Sequence, residues 1–182
     1  LARLRRRGSN GEELPGLVMV GSHVPLADQQ LMRLLADPRC IGFELPVGRI
    51  ARVLAGGTPD LLLADLEREW CEQLQALLQS GRTPVLFTSR GEIRLASASA
   101  GRLMSQTIAR LMGRLARAVV PGLGYLISKG GITTQTLLAD GLDLEAVELE
   151  GQLMPGLSLV CPSEGVAQAL PIVTFPGNLG TD

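Results

Sequence analysis

The sequence predicts an α/β domain with a mostly parallel sheet flanked by helices and a β-rich C-terminal part. Short apolar runs alternate with longer segments of helical periodicity over the first three quarters of the chain, which is typical of strand-helix-strand units. From about residue 145 the pattern changes to short β-like pieces. The composition agrees, because 46% of the 182 residues are apolar and 19% are charged, which excludes a disordered chain.

Each predicted strand is a short apolar run that ends at a turn signal. The strands are expected at residues 17–20, 41–47, 84–89, 123–127, 145–149, 157–161 and 171–175. The third run contains Val, Leu, Phe and Thr, which favour extended structure. Ligands of open parallel sheets bind beyond the carboxyl ends of the strands, so the loops that follow these runs are candidate sites.

The predicted helices have recognisable boundaries. They are expected at residues 25–36, 59–80, 99–119 and 133–139. The second helix follows Thr58, has Pro59 at its first position and carries leucines at helical spacing. Pro121 ends the third helix and Gly141 ends the fourth.

The charge balance restricts the classes of partner. A net charge of −1 provides no overall positive field for nucleic acid or an anionic membrane, so neither is expected as a partner. Four arginines fall within residues 1–8, and we interpret residues 1–14 as a solvated tail or linker remnant and residues 15–182 as the domain. Because no secretion signal or membrane-spanning segment is visible, a cytoplasmic location is expected.

Few residues suit metal or nucleophilic chemistry. Cys40, Cys71 and Cys161 are odd in number and widely spaced, which argues against a disulfide framework and a CxxC metal site. The only histidine, His23, is interpreted as an ordinary loop residue. We therefore predict no metal ligand and no catalytic residue in this chain.

One glycine pair stands at a strand-to-helix junction. Gly130-Gly131 would let a phosphate approach the backbone, where amides and the positive helix end favour an anion. Thr133 and Thr134 add hydroxyl donors, and the only lysine, Lys129, would add positive charge. A plain tight turn explains the pair equally well, since the spacing matches neither GxxxxGK[ST] nor GxGxxG.

Two further loops are candidates of the same kind. Gly177 and Gly180 follow the last predicted strand and would admit a base or a phosphate close to the backbone. Ser22, at the end of the first strand, would either contact a ligand through its hydroxyl or cap the helix that follows.

Four motifs, taken in order, resemble a known family. They are Gly21-Ser22, Ser128-Lys129-Gly130-Gly131-Ile132-Thr133-Thr134, Gly151-Gln152-Leu153-Met154-Pro155-Gly156 and Phe175-Pro176-Gly177-Asn178-Leu179-Gly180. Over roughly residues 15–180 they resemble the C-terminal, nucleotide-binding domain of four-carbon acid sugar kinases. Many members carry an acidic residue in place of Ile132 and a Lys-Ser pair in place of Phe175-Pro176, so the sugar acid stays open.

The resemblance implies an ATP-dependent kinase that uses Mg²⁺ and phosphorylates a threonate- or erythronate-type acid. It implies nucleotide contacts at Ser22, Gly130, Gly131, Ile132, Thr133 and Gly177, with Lys129 and Thr134 as further phosphate contacts. The sugar acid and the general base would belong to an amino-terminal domain that has no counterpart here, so this chain alone is expected to be inactive. A homo-oligomer is compatible with these expectations.

Two other functions stay open. The same loops would serve a non-catalytic nucleotide sensor or interaction module. A substrate domain encoded upstream and in frame would argue against this alternative. A small-anion-binding domain unrelated to ATP would show no preference for adenine.

Overall fold

A single mixed sheet organises the molecule. The computed structural model describes residues 4–89 and 98–180. In this part of the chain the strands are β1 (Gly16–Val20), β2 (Cys40–Leu45), β3 (Thr83–Thr88), β4 (Tyr125–Lys129), β5 (Glu148–Met154), β6 (Leu157–Cys161) and β7 (Ile172–Phe175). Their order is β2-β3-β1-β4-β7-β6-β5. The first five strands in this order are parallel, and β6 and β5 are added antiparallel, which confirms the predicted fold class.

Helices connect the parallel strands. They are α1 (Pro25–Leu35), α2 (Val47–Leu54), α3 (Pro59–Gln79), α4 (Ala98–Val119) and α5 (Gly131–Thr136), which continues as a π-helical turn over Leu137–Gly141. The sequence does not predict α2, because the apolar run over residues 41–47 favours one continuous strand across the start of this helix. Pro46 separates β2 from α2, and Val47 and Ile50 are buried at helical spacing.

The boundaries of two strands also differ from the prediction. β4 begins two residues later than expected because a 3-10 turn over Val120–Gly122 precedes it, with the Leu123 N–H donating to the Val120 carbonyl at 3.1 Å. β5 begins at Glu148 and runs to Met154, whereas a strand over residues 145–149 was expected.

Helices cover both faces of the sheet, as the alternation of elements predicts. Leu17 and Met19 of β1 belong to the larger apolar cluster, which includes side chains of α2, α3 and α4. Val18 and Val20 belong to a second cluster with α1. Trp70, in α3, is 4% exposed in the larger cluster. Burial of each large apolar side chain contributes roughly 1.5–3 kcal/mol to folding.

The amino-terminal residues 4–14 fold back onto the start of β4. The Arg6 N–H donates to the Gly124 carbonyl at 2.9 Å, and the Arg5 guanidinium lies 5.3 Å from the centre of the Tyr125 ring. Arg5 and Arg7 both pair with Glu13, at 3.0 and 3.3 Å. Arg3, the first arginine of this run, lies outside the described residues. A domain boundary at residue 14 stays a prediction.

Candidate functional site

Three loops meet at the carboxyl edge of the sheet, because β1, β4 and β7 are adjacent and parallel. The Gly21 N–H donates to the Lys129 carbonyl at 3.1 Å, and the Gly130 N–H donates to the Phe175 carbonyl at 2.9 Å. Backbone hydrogen bonds therefore hold the three loops together. We refer to residues 21–22, 129–134 and 176–180 as the loop cluster.

Ser22 lies where the three loops come closest. A Cβ atom at Gly130 would be 3.2 Å from the Ser22 nitrogen, and one at Gly177 would be 2.5 Å from the Ser22 Oγ. A Cβ at Gly21 would overlap the Thr133 hydroxyl. Gly130 also has a φ of +116°, a backbone conformation that side chains disfavour. The structure thus brings Ser22, Gly130, Thr133 and Gly177 to one place.

Gly131 differs from these glycines. Its φ lies outside the left-handed region, and within the described part of the chain no heavy atom comes within 4 Å of the position of a Cβ atom. Neither the backbone at this position nor the packing of the described residues therefore requires glycine there. The adjacent Ile132 is 65% exposed, so both residues border open space at the edge of the loop cluster.

The two threonines that follow are turned toward the protein. Thr133 is buried beside Gly21. The Thr134 hydroxyl is 2.9 Å from the Ser128 Oγ and donates to the Ser128 carbonyl at 3.2 Å. Thr134 therefore joins the start of α5 to the end of β4.

Lys129 is also engaged by the protein. Its side chain is 4% exposed, its Nζ donates to the Pro176 carbonyl at 3.1 Å, and it lies 3.8 Å from the centre of the Phe175 ring. Burial lowers the pKa of Lys129 below its ordinary value, while the carbonyl and the ring face favour the charged ammonium. The side chain ties the end of β4 to the loop after β7.

A large cavity of about 930 Å³ opens on one side of the loop cluster, between the carboxyl ends of the strands, α4 and α5. Its lining includes Gly21, His23, Thr88, Arg102, Arg110 and Thr133. A hydrogen bond of 2.8 Å joins the His23 Nε2 to the Thr88 Oγ1, and Arg110 pairs with Asp140 at 3.0 Å. Polar and cationic groups therefore line part of this cavity, whose size is ordinary for a ligand site.

A second cavity, of about 360 Å³, lies on the opposite face of the sheet, beside α1. We call it the apolar cavity, since most of its lining is aliphatic or aromatic. The lining consists of Val18, Val20, Gln30, Leu31, Leu34, Ile127, Lys129, Met154, Phe175 and Gly180. Sequence reasoning did not find this cavity, because its walls come from segments far apart in the chain.

The metal-binding groups of the chain are dispersed. Among residues 4–89 and 98–180, no three or more His, Cys, Asp or Glu side chains are grouped so as to hold a metal ion. The three cysteines are free thiols, and burial raises the pKa of Cys40, Cys71 and Cys161. Neutral thiols are poor nucleophiles and poor metal ligands. None of the described helices is long and apolar enough to cross a lipid bilayer.

The sequence matches one protein family over nearly its whole length. Residues 17–182 match the family described as the nucleotide-binding C-terminal domain. The chain therefore belongs to this family, which confirms the family that the four motifs predict, that of the four-carbon acid sugar kinases. No protein with a curated function matches the chain.

Solved structures share the fold. The chain is similar to a domain of unknown function, DUF1537, from Bordetella bronchiseptica, a domain-swapped dimer with bound citrate (TM-score 0.70, 24% identity, 92% of this chain and 38% of that one). A second crystal form gives a TM-score of 0.64 at 24% identity, over 92% and 36% of the two chains. A Salmonella typhimurium LT2 protein, provisionally described as a tRNA synthase, gives 0.66 at 17% identity, over 93% and 39%. The chain thus spans less than two fifths of these proteins.

Proposed function

We propose that the chain binds ATP at the loop cluster and forms the nucleotide-binding part of a kinase for a four-carbon sugar acid. One observation carries this proposal. The three loops that the motifs assign to the nucleotide are joined around Ser22, in a chain that belongs to a nucleotide-binding family. In this proposal residues 15–182 are the nucleotide-binding domain and residues 1–14 lead into it.

The phosphates would lie against the backbone of the loop after β4. Backbone N–H groups bind phosphate well where no side chain blocks their approach, and Gly131 borders open space. Ser22, Gly130, Ile132, Thr133 and Gly177 complete the proposed contact set. Lys129 would act on the phosphates mainly through its charge, since its ammonium already binds the Pro176 carbonyl.

Mg²⁺ would enter this site together with the nucleotide. Mg²⁺ commonly keeps several waters and binds substrate phosphates with only one or two protein carboxylates. The described residues fit that arrangement rather than an all-protein cage, because they contain no cluster of metal-binding side chains. When bound, the ion would neutralise phosphate charge during transfer.

The large cavity is the space in which the terminal phosphate would meet an acceptor. It borders Gly21 and Thr133 of the loop cluster, and Arg102 brings positive charge to its wall, where Arg110 is paired with Asp140. Phosphoryl transfer depends on positioning and on stabilising charge, which this wall can supply. We assign the general base and the pocket for a threonate- or erythronate-type acid to a separate substrate domain.

The assembly and location belong to the same proposal. The Bordetella bronchiseptica protein is a domain-swapped dimer, which supports a homo-oligomer for this chain as well. A cytoplasmic location would follow from the need for ATP. We expect neither nucleic acid nor a membrane as a partner, on the grounds of net charge.

Calorimetric titration tests the binding step. The chain is titrated with ATP, ADP and inorganic phosphate, each with and without Mg²⁺. We expect ATP and ADP to bind more tightly than phosphate. Equal affinity for all three would instead support a small-anion-binding domain, and the absence of any binding would refute the proposal.

An ADP-release assay tests the reaction. The chain is assayed over a panel of four-carbon sugar acids, alone and together with a substrate domain from the same family. We expect turnover only in the combined sample, because the base and the acid pocket are needed for transfer. Substrate-dependent turnover by the chain alone would show that its catalytic residues lie in this domain. Nucleotide binding without turnover in either sample would favour a nucleotide sensor.

A further inference from the structure

We infer that the apolar cavity beside α1 takes the adenine base, so that a bound nucleotide runs from this cavity across the loop cluster toward the large cavity. This inference rests on the proposed function, since it assigns one part of the proposed ligand to one part of the molecule. The two cavities are assigned to different parts of the nucleotide because different side chains line them.

The walls of the apolar cavity suit a flat heteroaromatic ring. Val18, Val20 and Ile127 form its floor on the sheet, while Leu31 and Leu34 enter from α1. The Phe175 ring and the Met154 thioether also border it, and both groups make favourable contacts with aromatic rings. A volume of about 360 Å³ is at the lower end of the range for ligand pockets.

The apolar cavity is continuous with the loop cluster. Lys129 lines it and directly precedes Gly130, and Phe175 lines it two residues before Gly177. A base in the cavity would therefore lie beside the backbone proposed to hold the phosphates. The Lys129 ammonium is at this junction and is a hydrogen-bond donor with three N–H groups.

The cavity is closed at one end by a contact between α1 and the last loop. The Gln30 side-chain amide donates to the Leu179 carbonyl at 3.3 Å. A Cβ atom at Gly180 would be 2.8 Å from the Gln30 Nε2, and Gly180 has a φ of +94°. Gly180 therefore allows the loop after β7 to pack against α1, next to the proposed position of the adenine base.

The large cavity is the less suitable place for the base. Its wall contains apolar side chains such as Met104 and Ile108 and the ion pair of Arg110 with Asp140, but it also carries Arg102 and the pair of His23 with Thr88. These groups match the anionic end of a nucleotide and an acidic acceptor better than they match an apolar ring. We therefore expect the base of the nucleotide in the apolar cavity and its phosphates on the side of the large cavity.

The first test uses the unmodified chain. The methyl groups are labelled, and nuclear Overhauser effects are recorded between the H2 and H8 protons of ADP and the protein. We expect contacts to the methyl groups of Val20, Leu34 and Ile127. Met104 and Ile132 line the large cavity. Contacts to these two residues instead would overturn the inference while leaving nucleotide binding intact.

The second test fills the apolar cavity. Leu34→Trp adds bulk where α1 faces the cavity, and Met32→Trp is the matched control, because Met32 is exposed on the same helix. ADP and inorganic tripolyphosphate are titrated into both variants and the parent chain. We expect Leu34→Trp to weaken ADP binding by about tenfold or more and to change tripolyphosphate binding by less than about twofold, with Met32→Trp behaving as the parent.

Each outcome has a distinct meaning. Unchanged ADP affinity in Leu34→Trp, or equal losses for ADP and tripolyphosphate, would overturn the placement of the base. A parent chain that binds tripolyphosphate as tightly as ADP would also overturn it, because the base would then contribute nothing. A parent chain that binds neither ligand would refute the proposed function itself.

Discussion

The loop cluster and the β5–β6 hairpin lie at different edges of the same sheet and differ in how closely other atoms surround them. In the loop cluster, atoms of a neighbouring loop occupy the positions where side chains of Gly21 and Gly177 would be. In the hairpin, Leu149 is 67% exposed, and no heavy atom of the described residues comes within 4 Å of a Cβ atom at Gly151, although the φ of +145° at Gly151 favours glycine. Two register shifts interrupt the pairing of β5 with β6.

The loop cluster is closely packed, whereas β5 at the edge of the hairpin is largely exposed. Hydrogen bonds between β1, β4 and β7 fix the backbone of the loop cluster, and close contacts with Ser22 and Thr133 leave no room for side chains. Fixed N–H groups are what a phosphate site needs, since their orientation is set before the ligand arrives. The exposed position Leu149 of the hairpin carries no such requirement.

The largest expected effect is on ligand binding at Gly131. A Gly131→Val substitution places a branched side chain where the proposed ligand would approach, and no atom of the described residues lies within 4 Å of its Cβ position. We expect nucleotide affinity to fall by about 100-fold or more, equivalent to about 2.8 kcal/mol, with unfolding free energy changed by less than about 0.5 kcal/mol. Calorimetry measures the first quantity and denaturation the second.

A matched control sharpens the Gly131 experiment. Gly57 lies in the connection between α2 and α3, and among residues 4–89 and 98–180 no heavy atom comes within 4 Å of its Cβ position either. We expect Gly57→Val to bind nucleotide as the parent does. A Gly131→Val variant that also binds as well as the parent would favour the plain-turn interpretation of the glycine pair.

The next largest effect is on stability at Gly21. A side chain at Gly21 would overlap the Thr133 hydroxyl, so Gly21→Val forces the loop after β1 away from the loop after β4. We expect the unfolding free energy to fall by about 1–3 kcal/mol, the usual cost of overpacking, and nucleotide binding to weaken as well. Urea denaturation followed by the fluorescence of Trp70, the only tryptophan, measures the change. Parent-like stability would mean that the contact between these loops is not tight.

A smaller effect concerns the pH dependence that Lys129 confers. Burial lowers its folded-state pKa below the ordinary value of 10.5, so the charged lysine is disfavoured in the folded protein. Lys129 therefore contributes most to the stability of the folded protein at a pH above its pKa in the unfolded chain. This contribution is lost as the pH falls through its pKa in the folded protein. We expect the stability of the parent, relative to Lys129→Met, to rise as pH increases toward 10.5.

Denaturation of both proteins from pH 7 to pH 10 measures this difference. One proton limits the slope to about 1.4 kcal/mol per pH unit. A stability difference that falls with pH would mean that the Pro176 carbonyl and the Phe175 ring outweigh the effect of burial.

The smallest effect is expected in the hairpin. Leu149→Thr replaces an exposed apolar side chain with a residue that suits a strand. We expect the unfolding free energy to change by less than about 0.5 kcal/mol and nucleotide affinity to stay the same. A larger loss of stability would show that the hairpin edge is more constrained than its exposure indicates.

The sequence predicted the alternating elements well, because apolar runs and helical periodicity directly reflect burial. It missed α2, where Pro46 divides one apolar stretch into a strand and a helix, and it began β4 two residues early because Leu123 is buried in a turn. Local patterns do not distinguish an apolar residue buried in a strand from one buried in a turn.

The candidate site was predictable as a set of loops but not as an arrangement. Motif order identified Ser22, the loop after β4 and Gly177. Their meeting point depends on β4 lying between β1 and β7, which no local pattern reveals. The contact of Lys129 with the Pro176 carbonyl and the two cavities depend on the same strand order.

The most direct test of nucleotide binding at the loop cluster is the mapping of amide chemical shifts while ADP is added to the uniformly labelled chain. We expect the largest shifts at the backbone amides of the proposed nucleotide contact set. Within the β5–β6 hairpin we expect only small shifts, except near Met154, which lines the apolar cavity. The set consists of Ser22, Gly130, Gly131, Ile132, Thr133 and Gly177. The proposed site would be contradicted if saturating ADP left the chemical shifts of these amides unchanged and changed those of amides far from the loop cluster.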